Sequence, residues 1–88
     1  MKGDEILTNT YLLRGKVRAL GLKYDFLAQR LSLTPYGLAR KINNKSEFRA
    51  SEIQELTFLL HLSPEEKEQI FFAKKVEYIQ LADGRSTD

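Results

Sequence analysis

The twenty residues from Tyr24 to Asn43, YDFLAQRLSLTPYGLARKIN, constrain the fold more than any other stretch of the chain. They hold two short helical patterns with one interruption. In the first, Phe26, Leu27, Ala28 and Leu31 recur at helical spacing; in the second, Leu38 and Ile42 lie four apart and share a face. The interruption is Ser32-Leu33-Thr34-Pro35. Thr34 is a good N-cap, because its hydroxyl can accept from a first-turn amide, and Pro35 suits the first helical position, where no N–H is needed. A small Ala28 in mid-helix lets a second helix cross closely. Two short helices joined by such a turn make a helix-turn-helix.

With Leu38 and Ile42 pointing inward, Tyr36, Gly37, Arg40 and Lys41 fall on or near the opposite face. That face offers an aromatic hydroxyl and two cations, and no carboxylate. A helix about 10–12 Å across fits the major groove of DNA, where arginine can bond guanine O6 and N7 together. The same pattern also fits a solvated face on a small helical bundle.

Composition narrows the alternatives. Eighty-eight residues, 42% apolar and 10% aromatic, suit one domain with a modest core. No apolar run approaches the roughly 18 residues of a membrane span, and MKGDEILTNT does not read as a signal peptide. There is no cysteine, a single histidine (His61), no glycine-rich phosphate loop and no metal-ligand spacing, so no enzyme, metal or cofactor is expected. An intracellular, cytoplasmic protein without a membrane partner is the simplest expectation. The net charge of +2 divides unevenly: residues 1–50 carry ten Lys/Arg against four Asp/Glu, and residues 51–88 carry four against eight. A basic half containing the helix-turn-helix suits a surface that meets a polyanion, although chance clustering produces such asymmetry too.

Met1 to Thr8 reads as a frayed lead-in. The first helix is expected from Thr8–Thr10 to Leu20, with Leu13, Val17 and Leu20 toward the core and Gly21 as a left-handed terminator. Its cations Arg14, Lys16 and Arg18 either solubilise it or touch a DNA backbone. Asp25 places negative charge at the start of the second helix. Tyr24 and Phe26 either fill a gap beside the first helix or join a contact surface. After the third helix, residues 43–49 form a polar loop with Phe48 as its buried anchor. Ser51 with Gln54 suggests a capping box for the fourth helix, whose start falls between Arg49 and Ser51 and whose inward stripe is Ile53, Leu56 and Leu60. His61 is expected partly buried at its end. Ser63-Pro64-Glu65-Glu66 is the strongest helix start, opening a fifth helix over residues 64–72 with Glu65, Glu66 and Glu68 solvated and Ile70 and Phe71 or Phe72 inward. The domain is thus expected over residues 1–72 and a tail over 73–88. The tail begins as a strand or a helical extension and ends in a polar segment without fixed structure. Val76, Tyr78, Ile79 and Leu81 in it are a candidate dimer contact, or fold back on the monomer's own core.

Five helices with a helix-turn-helix as the second and third resemble the lambda-repressor/Cro-like domains of phage and bacterial regulators. The stretches LAQRL, ARKINNKSEF, SEIQEL and LSPEEKEQIFF carry the resemblance, to small phage and prophage regulators of Gram-positive bacteria, over residues 12–72. It implies an all-α fold and a sequence-specific DNA-binding regulator, acting on double-stranded operator DNA as a homodimer. Pro35, Tyr36 and Arg40 fall where family members read bases. Lys23, Tyr24, Thr34, Gly37, Lys41, Asn43, Asn44 and Lys45 fall on the backbone-contacting surface. Three departures stand out: Ser32 replaces the usual turn glycine, Tyr24 replaces a frequent glutamine, and Pro35 offers no side-chain hydrogen bond. They leave room for a second expectation, a protein-binding module of the same fold that docks on another phage regulator through Tyr24 and Phe26 or through the tail.

Overall fold

Four of the five helices begin where the sequence supplies a side-chain acceptor, and the first four end where the backbone turns left-handed. The computed structural model describes residues 6–74. Within them run α1 (Thr10–Ala19), α2 (Tyr24–Arg30), α3 (Pro35–Ile42), α4 (Ala50–Leu59) and α5 (Pro64–Phe71). Two-residue strands β1 (Ile6–Leu7) and β2 (Ala73–Lys74) flank the helices and pair antiparallel, Ile6 with Lys74 and Leu7 with Ala73. The described part is therefore an all-α body closed by one short strand pairing. The tail begins as a strand, and the candidate dimer contact Val76, Tyr78, Ile79 and Leu81 lies outside the described residues.

Three starts use side-chain oxygens. Asn9 accepts from the Leu12 amide at 3.2 Å, Thr34 from Gly37 at 2.9 Å and Ser63 from Glu66 at 3.1 Å, while the Glu66 carboxylate in turn accepts from the Ser63 amide at 2.9 Å. The expected Ser51–Gln54 box does not form. The cap lies two residues earlier, at Arg49, so the helix takes the earlier of the expected starts, and its acceptor is Glu52, bonded to the Arg49 amide at 2.8 Å. Glu52 wins because the same carboxylate also meets Lys41 across the chain.

The first four helices end alike. Gly21, Ser32, Asn44 and His61 all have positive φ, 69°, 60°, 65° and 55°. Each donates its amide to the carbonyl three residues back, and the next residue donates five back: Leu22 to Val17, Leu33 to Ala28, Lys45 to Arg40 and Leu62 to Thr57. This paired closure satisfies carbonyls that would otherwise be orphaned at a helix end. For a non-glycine residue the left-handed conformation costs on the order of 1 kcal/mol. After α1, α2 and α4 the next residue is a leucine that packs on the core; after α3 it is the exposed Lys45.

The closure also corrects the expectation for Leu20, which is 41% exposed. The helix stops at Ala19, the chain reverses, and Leu22 packs on the core in its place. His61 is exposed rather than partly buried, because it occupies the left-handed apex of such a turn.

The core gathers Leu13, Val17, Leu27, Ala28, Leu31, Leu38, Ile42, Leu56, Leu60, Leu62, Ile70 and Phe71. Each fully buried leucine contributes about 1.5–3 kcal/mol of transfer free energy. Phe48 anchors the loop before α4 but is half-buried rather than buried, its ring edge-on to Phe71 of α5 at 5.5 Å and 84°. The lead-in is not frayed at its inner end: Thr8 and Asn9 are buried, and the Asn9 amide reaches the Ile70 carbonyl.

Candidate nucleic-acid interface

The side of α3 away from the core carries most of the expected contact residues, and local structure explains their placement. The Thr34 hydroxyl fixes the first turn, and a Cβ added at Gly37 would stand 3.2 Å from that oxygen, so glycine leaves the cap unstrained. Pro35 sits at the first helical position. Tyr36 is 72% exposed. Arg40, one turn further along, is exposed and donates to the Lys45 carbonyl at 3.2 Å, which lays its guanidinium toward the helix end. Asn43 closes the row, exposed, with its Oδ1 accepting from Arg14 at 3.1 Å. Lys23 and Tyr24 are exposed at the start of α2, and the Lys23 side chain makes no capping bond.

Two residues expected on this surface are used elsewhere. The Lys41 ammonium meets both Glu52 oxygens, at 2.6 and 2.8 Å, and the two side chains are only 12% and 8% exposed. Lys41 therefore ties α3 to α4 and does not stand free as a backbone contact. Asn44 is corrected likewise. Its side-chain amide accepts from the Thr8 amide and donates to the Thr8 carbonyl, both at 2.9 Å, in the manner of a neighbouring strand. These partners lie 11 and 36 residues away, beyond any helical period.

Charge is sorted in the same way. One cation from each of the first three helices pairs with a carboxylate of α4 or α5: Lys16 with Glu66 at 2.8 Å, Arg30 with Glu55 at 2.7 Å, and Lys41 with Glu52. Among the described residues, Arg14, Arg18, Lys23, Arg40, Lys45 and Arg49 form no ion pair. The acidic half thus takes one cation from each of the first three helices, and the cations left unpaired include Arg40 and Lys45 on and after α3 and Lys23 at the start of α2, as well as Lys67 of α5. Burial pushes the Glu52 carboxyl up, but the Lys41 ammonium, the Arg49 amide and the Arg49 charge outweigh it and hold it below the ordinary glutamate value. Glu66 is also held low, by Lys16 first and the Ser63 amide second. Glu66 is thus part of an ion pair and not purely solvated.

Arg14 is the residue that the sequence leaves undecided among three cations on one helix. It lines a cleft of about 180 Å³ with Tyr24, Pro35, Leu38, Ala39 and Ile42. A larger groove of about 440 Å³ lies behind the α3–α4 loop, between Leu7, Phe48, Ile53 and Phe72. No cluster of His, Asp or Glu suited to a metal ion occurs among the described residues, and no described helix is long and apolar enough to cross a membrane. Comparison of the chain with protein-family models, with characterised proteins and with solved structures finds no match.

Proposed function

We propose that this chain is a DNA-binding transcriptional regulator of the lambda-repressor/Cro type, with α2 and α3 as its helix-turn-helix. One observation carries the reading: the outer face of α3 holds exposed Tyr36 and Arg40 and no carboxylate, with unpaired Lys45 at its end and unpaired Lys23 at the start of α2. In this reading α3 enters the major groove. Tyr36 and Arg40 reach base edges, Pro35 packs beside them, and Lys23, Tyr24, Thr34, Gly37, Asn43 and Lys45 lie along the sugar-phosphate backbone. Lys41 and Asn44 support that surface from behind. In this reading the active form is a cytoplasmic homodimer, for which Val76, Tyr78, Ile79 and Leu81, outside the described residues, remain the candidate contact.

The test is a salt titration of the purified protein on DNA flanking its own gene. Selective binding with a steep fall of log K against log salt supports the reading. Replacing Arg40 by alanine then costs about 1–3 kcal/mol and relaxes preference at one base pair. A folded protein with neither selectivity nor a salt slope overturns it.

A second reading, a module that docks on another regulator, is favoured by a different surface. Phe26 is 41% and Phe58 69% exposed. Arg30 lies 6.0 Å from the centre of the Phe26 ring and pairs with Glu55, three residues before Phe58. Such a module would hold its partner at high salt and bind little DNA alone.

A further inference from the structure

The cleft beside α3 has a composition that the base-reading residues do not explain. Its floor is Leu38 and Ile42, its sides are Pro35 and Ala39 of α3 and Tyr24 of α2, and the single charge in its wall is Arg14 of α1. α1 is pinned along this flank: the Thr10 hydroxyl donates to the Ile42 carbonyl at 2.6 Å, and one turn later Arg14 donates to Asn43. The other two cations of α1 are placed differently. Lys16 is paired with Glu66, and Arg18 is exposed and does not line the cleft. On a helix turning about 100° per residue, Pro35 and Ala39 lie between the buried pair and the row of Asn43, Tyr36 and Arg40. The cleft therefore opens along the edge of the face assigned to DNA. Arg14 keeps its charge uncompensated there, because its partner Asn43 is neutral.

We propose that this cleft seats a phosphodiester of the bound strand, with Arg14 as its charged ligand, Asn43 orienting the guanidinium and the Tyr24 hydroxyl at the rim. α1 then grips the backbone while α3 reads the groove, and the footprint widens from two helices to three. The inference rests on the DNA-binding reading and adds to it a contact from outside the helix-turn-helix. Phosphate contacts are independent of sequence, so a short random-sequence duplex is a sufficient probe.

The experiment compares the full chain with Arg14→Gln, Arg14→Lys and Arg18→Ala by salt titration on that duplex. Arg14→Gln removes the charge and keeps a donor for Asn43. It is expected to weaken binding at low salt and flatten the slope of log K against log salt by about one. Arg14→Lys restores the slope, Arg18→Ala leaves it unchanged, and circular dichroism melts coincide for all four proteins. A wild-type slope in Arg14→Gln overturns the phosphate seat while leaving the DNA reading intact. Equal flattening by Arg18→Ala overturns it too, because the effect is then net charge and not the cleft. Absence of any salt-dependent binding by the unmodified protein removes the DNA reading, and the seat with it.

Discussion

The end of α3 and the ends of α1, α2 and α4 share one backbone geometry and differ in the residue that comes next. After α1, α2 and α4 the reversal returns a leucine to the core; after α3 it presents Lys45 to solvent. The same closure thus serves packing three times and a surface once. At α3 the missing leucine contact is replaced by polar ties, Asn44 to Thr8 and Lys41 to Glu52. This helix end, which turns a cation to solvent where the others turn a leucine inward, is held by hydrogen bonds and an ion pair in place of an apolar anchor.

The largest test removes an anchor. Leu62→Ala at the end of α4 should lower stability by about 3 kcal/mol, read as a shift in the urea midpoint at constant m. Asn44→Ala strips both bonds to Thr8 and places alanine in a left-handed turn. It should cost about 2 kcal/mol, and a loss as small as that of an ordinary surface substitution would mean that polar ties do not replace the leucine. Ser32→Gly and His61→Gly relieve the conformation without touching a contact, so each should raise stability by about 0.5–1 kcal/mol in thermal melts. Lys45→Ala should change stability by less than about 0.5 kcal/mol yet reduce the DNA salt slope by about one; the reverse pattern would make Lys45 a structural residue.

Acid sharpens the contrast further. Because the folded protein holds the Glu52 carboxyl below its ordinary value, the pair with Lys41 contributes fully at neutral pH. That contribution fades as pH falls through the ordinary glutamate range toward the lower folded value. Hydrogen-exchange protection, corrected for intrinsic rate, should therefore drop on acidification at the end of α3 before it drops at the leucine-anchored end of α2.

What the sequence made legible was local. Thr34-Pro35 and Ser63-Pro64-Glu65-Glu66 mark their helix starts because an acceptor and the proline beside it suffice to satisfy the first turn. Gly21 marked one reversal, since glycine advertises a left-handed residue. Of the other three reversals, Ser32 was marked only by the resemblance, as the residue in place of a usual turn glycine, and Asn44 and His61 were not singled out; the cost of their conformation is met by the closure bonds. Leu20 and Leu22 show the same limit: periodicity chose the first, and the turn buried the second. At the candidate site, exposure of Tyr36 and Arg40 followed from the helical period. The fates of Lys41, Asn44 and Arg14 depended on Glu52, Thr8 and Asn43, which no period connects to them.

The pairing of Ile6 with Lys74 has a consequence for how this body attaches to anything else. The chain enters and leaves the five helices at one point, as two neighbouring strands separated by about 5 Å. A body hung from a single point can be spliced into a surface loop of a host protein without stretching either partner. The two short strands bordering the described residues thus bring the entry and the exit of the helical body side by side.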